Sequence, residues 1–415
     1  MKTNTNPVLA PLSFGEGLGV RLKIAFLTPE YPHSKIGNSG GIGTSIKNLA
    51  IGLLGQGCSV RVLVYGQMEE GVFDDDGIIV QQIRNVKLKG MSWWFTRKKL
   101  ERIINDLHSN QQIDLLEAPD WTGITSFIQP KKCPIVMRLN GSDTYFCHLD
   151  QRPVKWFNKF HERRAIQKSD GLLSVSQFTA DLTNEVFGLH KQFTIIPNSI
   201  DIGLFDISNA NFNSNAAIIG MPPLGAKGLL YFGTLIRKKG LLELPFIFNE
   251  VIQKNPEARL FLIGKDVPDI LTGNGSTWVM MQQLFTAEAL QNVTYLGSVP
   301  YQEIKEHINK ATVCVFPSFA EALPVSWIEA MALQKPIVAS NIGWANEIIK
   351  DGVEGFLVYP KDHKKYAERI LELLQHPKMQ ENFGLAARKK VQDQFSMEVV
   401  AQKSLLFYED LIRNK

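Results

Sequence analysis

The chain has 415 residues, more than one ordinary core holds, so two domains are expected. Hydrophobic residues make up 44% and charged residues 21%, the formal net charge is only +4, and no Lys/Arg-rich block dominates, a balance that fits a globular protein and argues against a nucleic-acid partner. No run of about 18 apolar residues occurs, so no membrane-spanning helix is expected.

Residues 1–21, with Pro7, Pro11, Gly15, Gly17 and Gly19, carry neither periodicity nor a secretory hydrophobic region. They are expected to be a disordered tail, with the fold starting at Leu22. Short apolar runs then alternate with helix-length amphipathic segments. The runs are 22–28, 59–65, 113–117, 134–139, 171–175 and 193–197, followed by 229–232, 258–264, 292–297, 312–317 and 336–340. Continuous Val/Ile/Leu runs of this length predict parallel strands buried on both faces, and the segments between them predict doubly wound α/β sheets. The Asn/Ser/Gly/Pro-rich stretch 206–227 reads as a linker between domains at 22–205 and 228–395. A periodic segment at 396–415 follows the second sheet as a final helix. Cys58, Cys133, Cys147 and Cys314 form no Cys-x-x-Cys pair and have no zinc-ligand spacing; they are expected to be reduced, as in a cytosolic protein.

Three motifs carry chemistry. Gly40-Gly41-Ile42-Gly43 precedes a helix, where Gly41 and Gly43 would let the backbone approach an anion. It lacks the dinucleotide spacing, which disfavours a dehydrogenase, and two readings stand: a phosphate or sugar loop, or a flexible turn. Thr234 to Gly240 places Arg237, Lys238 and Lys239 directly after a strand, as a pyrophosphate cradle or a solvated basic turn. The third motif is Glu321-Ala322-Leu323-Pro324 between a strand and a helix that carries Glu329. Eight residues of helical rise separate the two carboxylates by about 12 Å, too far for an acid/base couple but suited to gripping opposite ends of an extended ligand. The helix N-terminus between them favours phosphates.

Elsewhere, Asp74-Asp75-Asp76 reads as a turn beyond a strand and not as a metal site. Asp120 and Asp143 follow first-domain strands, where each either assists an acceptor hydroxyl or serves as a turn or cap. Residues 91–104 join Trp93, Trp94 and Phe95 to Arg97, Lys98, Lys99 and Arg102, as a peripheral membrane contact or a packed helix start with a solvated basic face.

With these residues in this order, the chain resembles the retaining nucleotide-sugar glycosyltransferases of the GT-B fold, family 4. Further residues that carry the resemblance are the segments 138–143, 174–176, 196–201, 336–340 and 347–355, the last with Glu347, Asp351, Gly352 and Gly355. The resemblance implies two Rossmann-like domains facing across a cleft, with the final helix crossing back to the first domain. It implies Glu321 on the donor-sugar hydroxyls, Glu329 on the ribose, Lys239 on the pyrophosphate and the segment 295–299, with Val299, around the base. Ala322, Leu323, Pro324, Gly41 and Gly43 then complete the donor site. Thr234 stands where the family often has Arg, with Arg237 as the substitute cation, and Asn140 stands where it often has His. The implied reaction is metal-independent transfer, with retention, of a hexose-type sugar from a UDP-sugar, or next a GDP-sugar, to a saccharide or lipid-linked acceptor. The implied setting is cell-surface polysaccharide or glycolipid synthesis, in the cytoplasm or on the inner face of its membrane. No cofactor is expected. Two alternatives are a noncatalytic sugar-nucleotide-binding protein and an epimerase of the same fold.

Overall fold

The computed structural model describes residues 22–37, 39–206 and 227–414. The expected tail and all but the ends of the expected linker lie outside the described residues. The first sheet contains β1 (Lys23–Thr28), β2 (Ser59–Gln67), β3 (Gly71–Asp75), β4 (Ile78–Arg84), β5 (Leu115–Pro119), β6 (Ile135–Leu139), β7 (Gly171–Ser174) and β8 (Thr194–Ile195). Its order is β3-β4-β2-β1-β5-β6-β7-β8. The second contains β9 (Gly228–Phe232), β10 (Arg259–Ile263), β11 (Val293–Tyr295), β12 (Val313–Phe316), β13 (Ile337–Ser340) and β14 (Gly355–Val358), in the order β11-β10-β9-β12-β13-β14.

Every strand pairing is parallel except the β3–β4 hairpin. β1, β5, β6, β9 and β12 are almost wholly buried; β1, β9 and β12 read as nearly unbroken apolar runs, while β5 and β6 each carry one charge, Glu117 and Arg138. Strand order reverses at β1 in the first sheet and at β9 in the second, so each sheet opens a crevice at the carboxyl ends of β1 and β5, or of β9 and β12. The first-domain helices used below are α1 (Gly41–Gly55), α2 (Ser92–Ser109), α3 (Asp143–Leu149), α4 (Trp156–Lys168) and α5 (Gln177–Phe187). All four cysteines are buried thiols outside any disulfide.

The aspartate triplet departs from expectation. Asp74 and Asp75 lie in β3, and the turn is Asp76-Gly77, both with positive φ (52° and 88°). Asp-Gly suits such a hairpin turn, because both central residues adopt left-handed backbone at low cost. Asp75 is a strand residue that ties β3 to the first helix and the loop before it. It accepts hydrogen bonds from the Tyr31 hydroxyl (2.6 Å) and the Lys47 ammonium (2.7 Å). β3, β4 and β14 were not among the expected strands.

The final helix, Met397–Arg413, leaves the second domain at Phe395 and packs Val400, Ala401, Leu405 and Tyr408 into the first-domain core. A Cβ on Gly52 of α1 would lie 2.7 Å from the Met397 carbonyl, so glycine is what permits this crossing. The crossing is anchored by charge. Glu117 on β5 and Arg138 on β6 form a buried bidentate pair (2.7 and 3.2 Å). The helix adds the Tyr408 hydroxyl, donating to Glu117 at 2.6 Å, and Ser404, accepting from Arg138 at 3.2 Å.

Removing one partner of such a pair strands the other charge. Glu117→Ala is expected to cost about 3–5 kcal/mol, and Tyr408→Phe about 1–3 kcal/mol. Both are read from chemical denaturation; an unchanged midpoint for Glu117→Ala would refute the anchoring role.

Candidate active site

Two loops leave the carboxyl ends of β9 and β12 and are stitched together. The amides of Phe319 and Ala320 both donate to the Lys238 carbonyl, at 2.8 and 3.2 Å. Gly240 makes this approach possible, with φ +71° and an imagined Cβ 1.8 Å from the Pro317 carbonyl oxygen. The Lys239 ammonium then meets Glu321 at 3.2 Å, and the Ser318 hydroxyl donates to the same carboxylate oxygen at 3.1 Å. Lys239 also passes Gly233, whose Cβ would lie 3.5 Å from Nζ.

Glu329 follows within the helix Val325–Ala332 and is buried. The Tyr301 hydroxyl donates to it at 2.7 Å. Burial pushes its carboxyl up to about 7, against the opposing pull of Tyr301 and of the Lys239 charge. Pro324 caps this helix, so the segment Ala322-Leu323-Pro324 runs between the two glutamates. On the outer wall the Tyr295 ring lies 5.2 Å from Trp278, and Leu296 and Val299 pack against the second core.

Arg237 departs from expectation. Its guanidinium makes a bidentate pair with Asp269, at 2.8 Å twice, and Asp269 is 2% exposed. A buried carboxylate needs such a partner, and the pairing holds Asp269 down to about 2. Arg237 therefore serves the wall of the site, while Lys239 faces Glu321. The Thr234 carbonyl accepts from the Tyr231 hydroxyl at 3.0 Å.

In the first domain, Gly41 opens α1, and the Gly43 amide is already engaged by the Glu30 carboxylate at 2.8 Å. A helix N-terminus favours an anion, and Glu30 supplies one from within the chain. The Asn140 amide donates to Asp120 at 2.9 Å, and its side chain turns back to the Arg138 carbonyl at 3.3 Å. Asp120 is fully buried beneath that turn, and burial pushes its carboxyl up to about 7. It supports the backbone at Asn140 and is not open to an acceptor. Asp143, at the first turn of α3, is held by Asn158 (2.9 Å) and Arg152 (3.5 Å). A cavity of about 310 Å3 lies between the end of α3 and the second domain, with Arg152, Lys238, Phe319, Tyr359 and Lys361 in its walls. Among the described residues, no group of His, Cys, Asp or Glu side chains is arranged to hold a metal ion.

Two family models match the chain in tandem: Glycosyltransferase Family 4 over residues 39–204, and Glycosyl transferases group 1 over residues 222–390. The chain belongs to the group 1 glycosyltransferases. An uncharacterised glycosyltransferase of Methanocaldococcus jannaschii is 25% identical over 94% of this chain and 98% of its own. The GDP-mannose-dependent monoacylated alpha-(1-6)-phosphatidylinositol monomannoside mannosyltransferase of Corynebacterium glutamicum is 25% identical over 63% of this chain and 69% of its own. In fold, the chain matches the Anabaena protein HepE, solved in complex with UDP, at a TM-score of 0.71 and 18% identity over 94% of this chain and 100% of that one. The two facing Rossmann-like domains are thus those of a GT-B enzyme.

Residue patterns did not single out Tyr301, Asp269 or Glu30 for this site. Tyr301 and Asp269 lie in segments without a motif, and Glu30 lies ten residues before the glycine loop, so only the folded chain brings them in.

Glu329 and Asp120 share a consequence. Each carboxyl has a folded pKa near 7, above its unfolded value, so its stabilising contribution is present below about pH 4 and is lost as pH rises through 7. For Glu329 the loss by pH 8 is roughly 3 kcal/mol. Glu329→Gln is expected to flatten the fall in stability between pH 5 and pH 8, measured by urea denaturation. The same slope in both proteins would show that Glu329 titrates normally.

Proposed function

We propose that this glycosyltransferase moves a hexose-type sugar from a UDP-sugar to a saccharide or lipid-linked acceptor, with retention at the anomeric carbon and without a metal ion. The observation that carries the reading is the Lys239–Glu321 pair at the carboxyl ends of β9 and β12, with Glu329 one helix further on. A diphosphate at Lys239 competes with Glu321 for that cation and frees the carboxylate to accept sugar hydroxyls. Glu329 faces the ribose, and the 295–299 segment faces the base. HepE, named as a complex with UDP, supports the choice of base; the relative named for GDP-mannose makes GDP the next candidate.

In the transfer step the bond from the anomeric carbon to the leaving phosphate breaks and a bond to the acceptor oxygen forms on the same face. The acceptor proton passes to the departing phosphate. Lys239 and the N-terminus of the helix Val325–Ala332 stabilise the charge that develops there. The 310 Å3 cavity beside Lys238 and Arg152 is the proposed acceptor entrance.

A membrane contact fits a lipid-linked acceptor, and the surface supporting it is wider than the 91–104 segment. Trp93 and Phe95 of α2 are 37% and 40% exposed, while Trp156 and Phe160 of α4 are 76% and 46% exposed. The α4 residues sit among exposed Lys155, Lys159 and Arg163. Arg97 does not contribute to this face, because it is buried on the Gly123 carbonyl. No helix among the described residues is long and apolar enough to cross a membrane.

A thermal-shift panel of UDP, GDP, ADP and their sugar conjugates, with and without EDTA, tests the donor. The expected result is an EDTA-insensitive rise for the uridine series. Glu321→Ala is expected to abolish transfer, by at least about a hundredfold, while keeping the melting temperature; normal turnover would remove Glu321 from the mechanism. For the membrane contact, flotation with vesicles rich in anionic lipid should recover the protein and lose it on Trp156→Ala with Phe160→Ala. Absence of flotation at low salt would end that part of the proposal.

A further inference from the structure

The loop that carries Glu321 is held from the other domain. Three consecutive main-chain carbonyls, those of Glu321, Ala322 and Leu323, accept hydrogen bonds from first-domain side chains. The Tyr145 hydroxyl donates to Glu321 O at 2.6 Å, Ser176 Oγ and Thr179 Oγ1 donate to Ala322 O at 2.9 and 3.2 Å, and Asn198 Nδ2 donates to Leu323 O at 3.4 Å. All four donor residues are buried. In return, the second domain supplies Glu347, whose carboxylate accepts the Gln177 and Phe178 amides of α5 at 2.7 and 2.9 Å. Phe178 packs on Trp344, and a Cβ on Gly343 would fall 2.2 Å from the Phe178 ring. The seam is therefore built from complementary groups on both sides.

Glu321 sits at the junction of two constraints. Its carboxylate points to Lys239 and Ser318 within its own domain, while its carbonyl is fixed by Tyr145 of the other. Rotating the 321–322 peptide would break the Tyr145 bond and move the carboxylate. We propose that Tyr145 and Thr179 are positioning residues for sugar transfer. Through the Glu321 and Ala322 carbonyls they set the direction of the Glu321 carboxylate, so recognition of the donor sugar is complete only when the two domains are closed on each other. The nucleotide half of the donor is served within the second domain and does not depend on the seam. The inference rests on the reading of Glu321 as the ligand of the donor sugar.

The test uses Tyr145→Phe and Thr179→Val, each of which removes one hydroxyl and keeps the buried bulk. The quantity read is the affinity for UDP-glucose relative to UDP, by calorimetry, with GDP-mannose relative to GDP as the pair if uridine nucleotides do not bind. Tyr145→Phe is expected to leave nucleotide affinity within twofold and to reduce the sugar-dependent increment about tenfold, the scale of one lost hydrogen bond that leaves a buried carbonyl unpaired. In a Glu321→Ala background the same substitution is expected to change nothing further. If Glu321→Ala leaves the increment unchanged, the reading of Glu321 fails. If Glu321→Ala removes it but Tyr145→Phe and Thr179→Val do not alter it, the positioning role fails. Hydrogen exchange on the ligand-free protein adds a second readout. Amides 318–323 should lose protection in Tyr145→Phe while the β9 and β12 amides keep theirs, and unchanged protection at 318–323 would overturn the proposal.

Discussion

A charge pair buried in the middle of the first sheet governs how the two halves of this molecule meet. Glu117 and Arg138 face each other on neighbouring central strands, where an unpaired charge would be untenable. Two strands alone do not satisfy both groups. The remaining partners come from the final helix, Tyr408 on Glu117 and Ser404 on Arg138, and from the Ile196 carbonyl at 3.1 Å. That helix begins where the second-domain core ends, at Phe395. Satisfying the pair therefore draws the C-terminal segment onto the first domain and brings the carboxyl ends of the two sheets to face one another.

Once they face, the chemistry at the cleft follows from which polar groups are left to whom. Asp269 takes Arg237, and Glu30 takes the Gly43 amide. Lys239 and Glu321 are left to each other across a loop with three carbonyls turned toward the first domain. This is a site in which most charges are internally matched and one cation–carboxylate pair is positioned to exchange partners. Such preorganisation suits a reaction in which charge develops on a leaving diphosphate, because the donors are in place before the bond breaks.

The parallel strands were legible because burial on both faces leaves unbroken apolar runs, as in 24–27 and 313–316. β3 and β4 escaped because β3 is an edge strand that carries two aspartates and β4, beside it, alternates buried and exposed positions; the Asp76-Gly77 pair was the available signal. Lys239, Glu321 and Glu329 could be picked out because a strand, a glycine and a helix start at fixed intervals mark a loop that must approach a ligand. Arg237 could not be separated from Lys239 in the same way. The two cations lie two residues apart, and what distinguishes them is Asp269, some thirty positions along the chain.

By itself, the amino-acid order determined the two doubly wound domains, the glycine-bounded basic loop, the Glu321–Glu329 spacing and the membership these support, all of which depend on periodicity and local backbone geometry within a few residues. The tertiary structure alone decided which cation faces Glu321, that Asp120 is buried beneath Asn140, that Trp93 of α2 meets Phe157 of α4, and that Tyr145, Ser176 and Thr179 grip the donor loop. These depend on groups up to about 180 residues apart in the chain, such as Tyr145 and Glu321. Their pairing follows from the need to satisfy each buried donor, acceptor and charge once the two sheets are brought together, and no local pattern encodes that need.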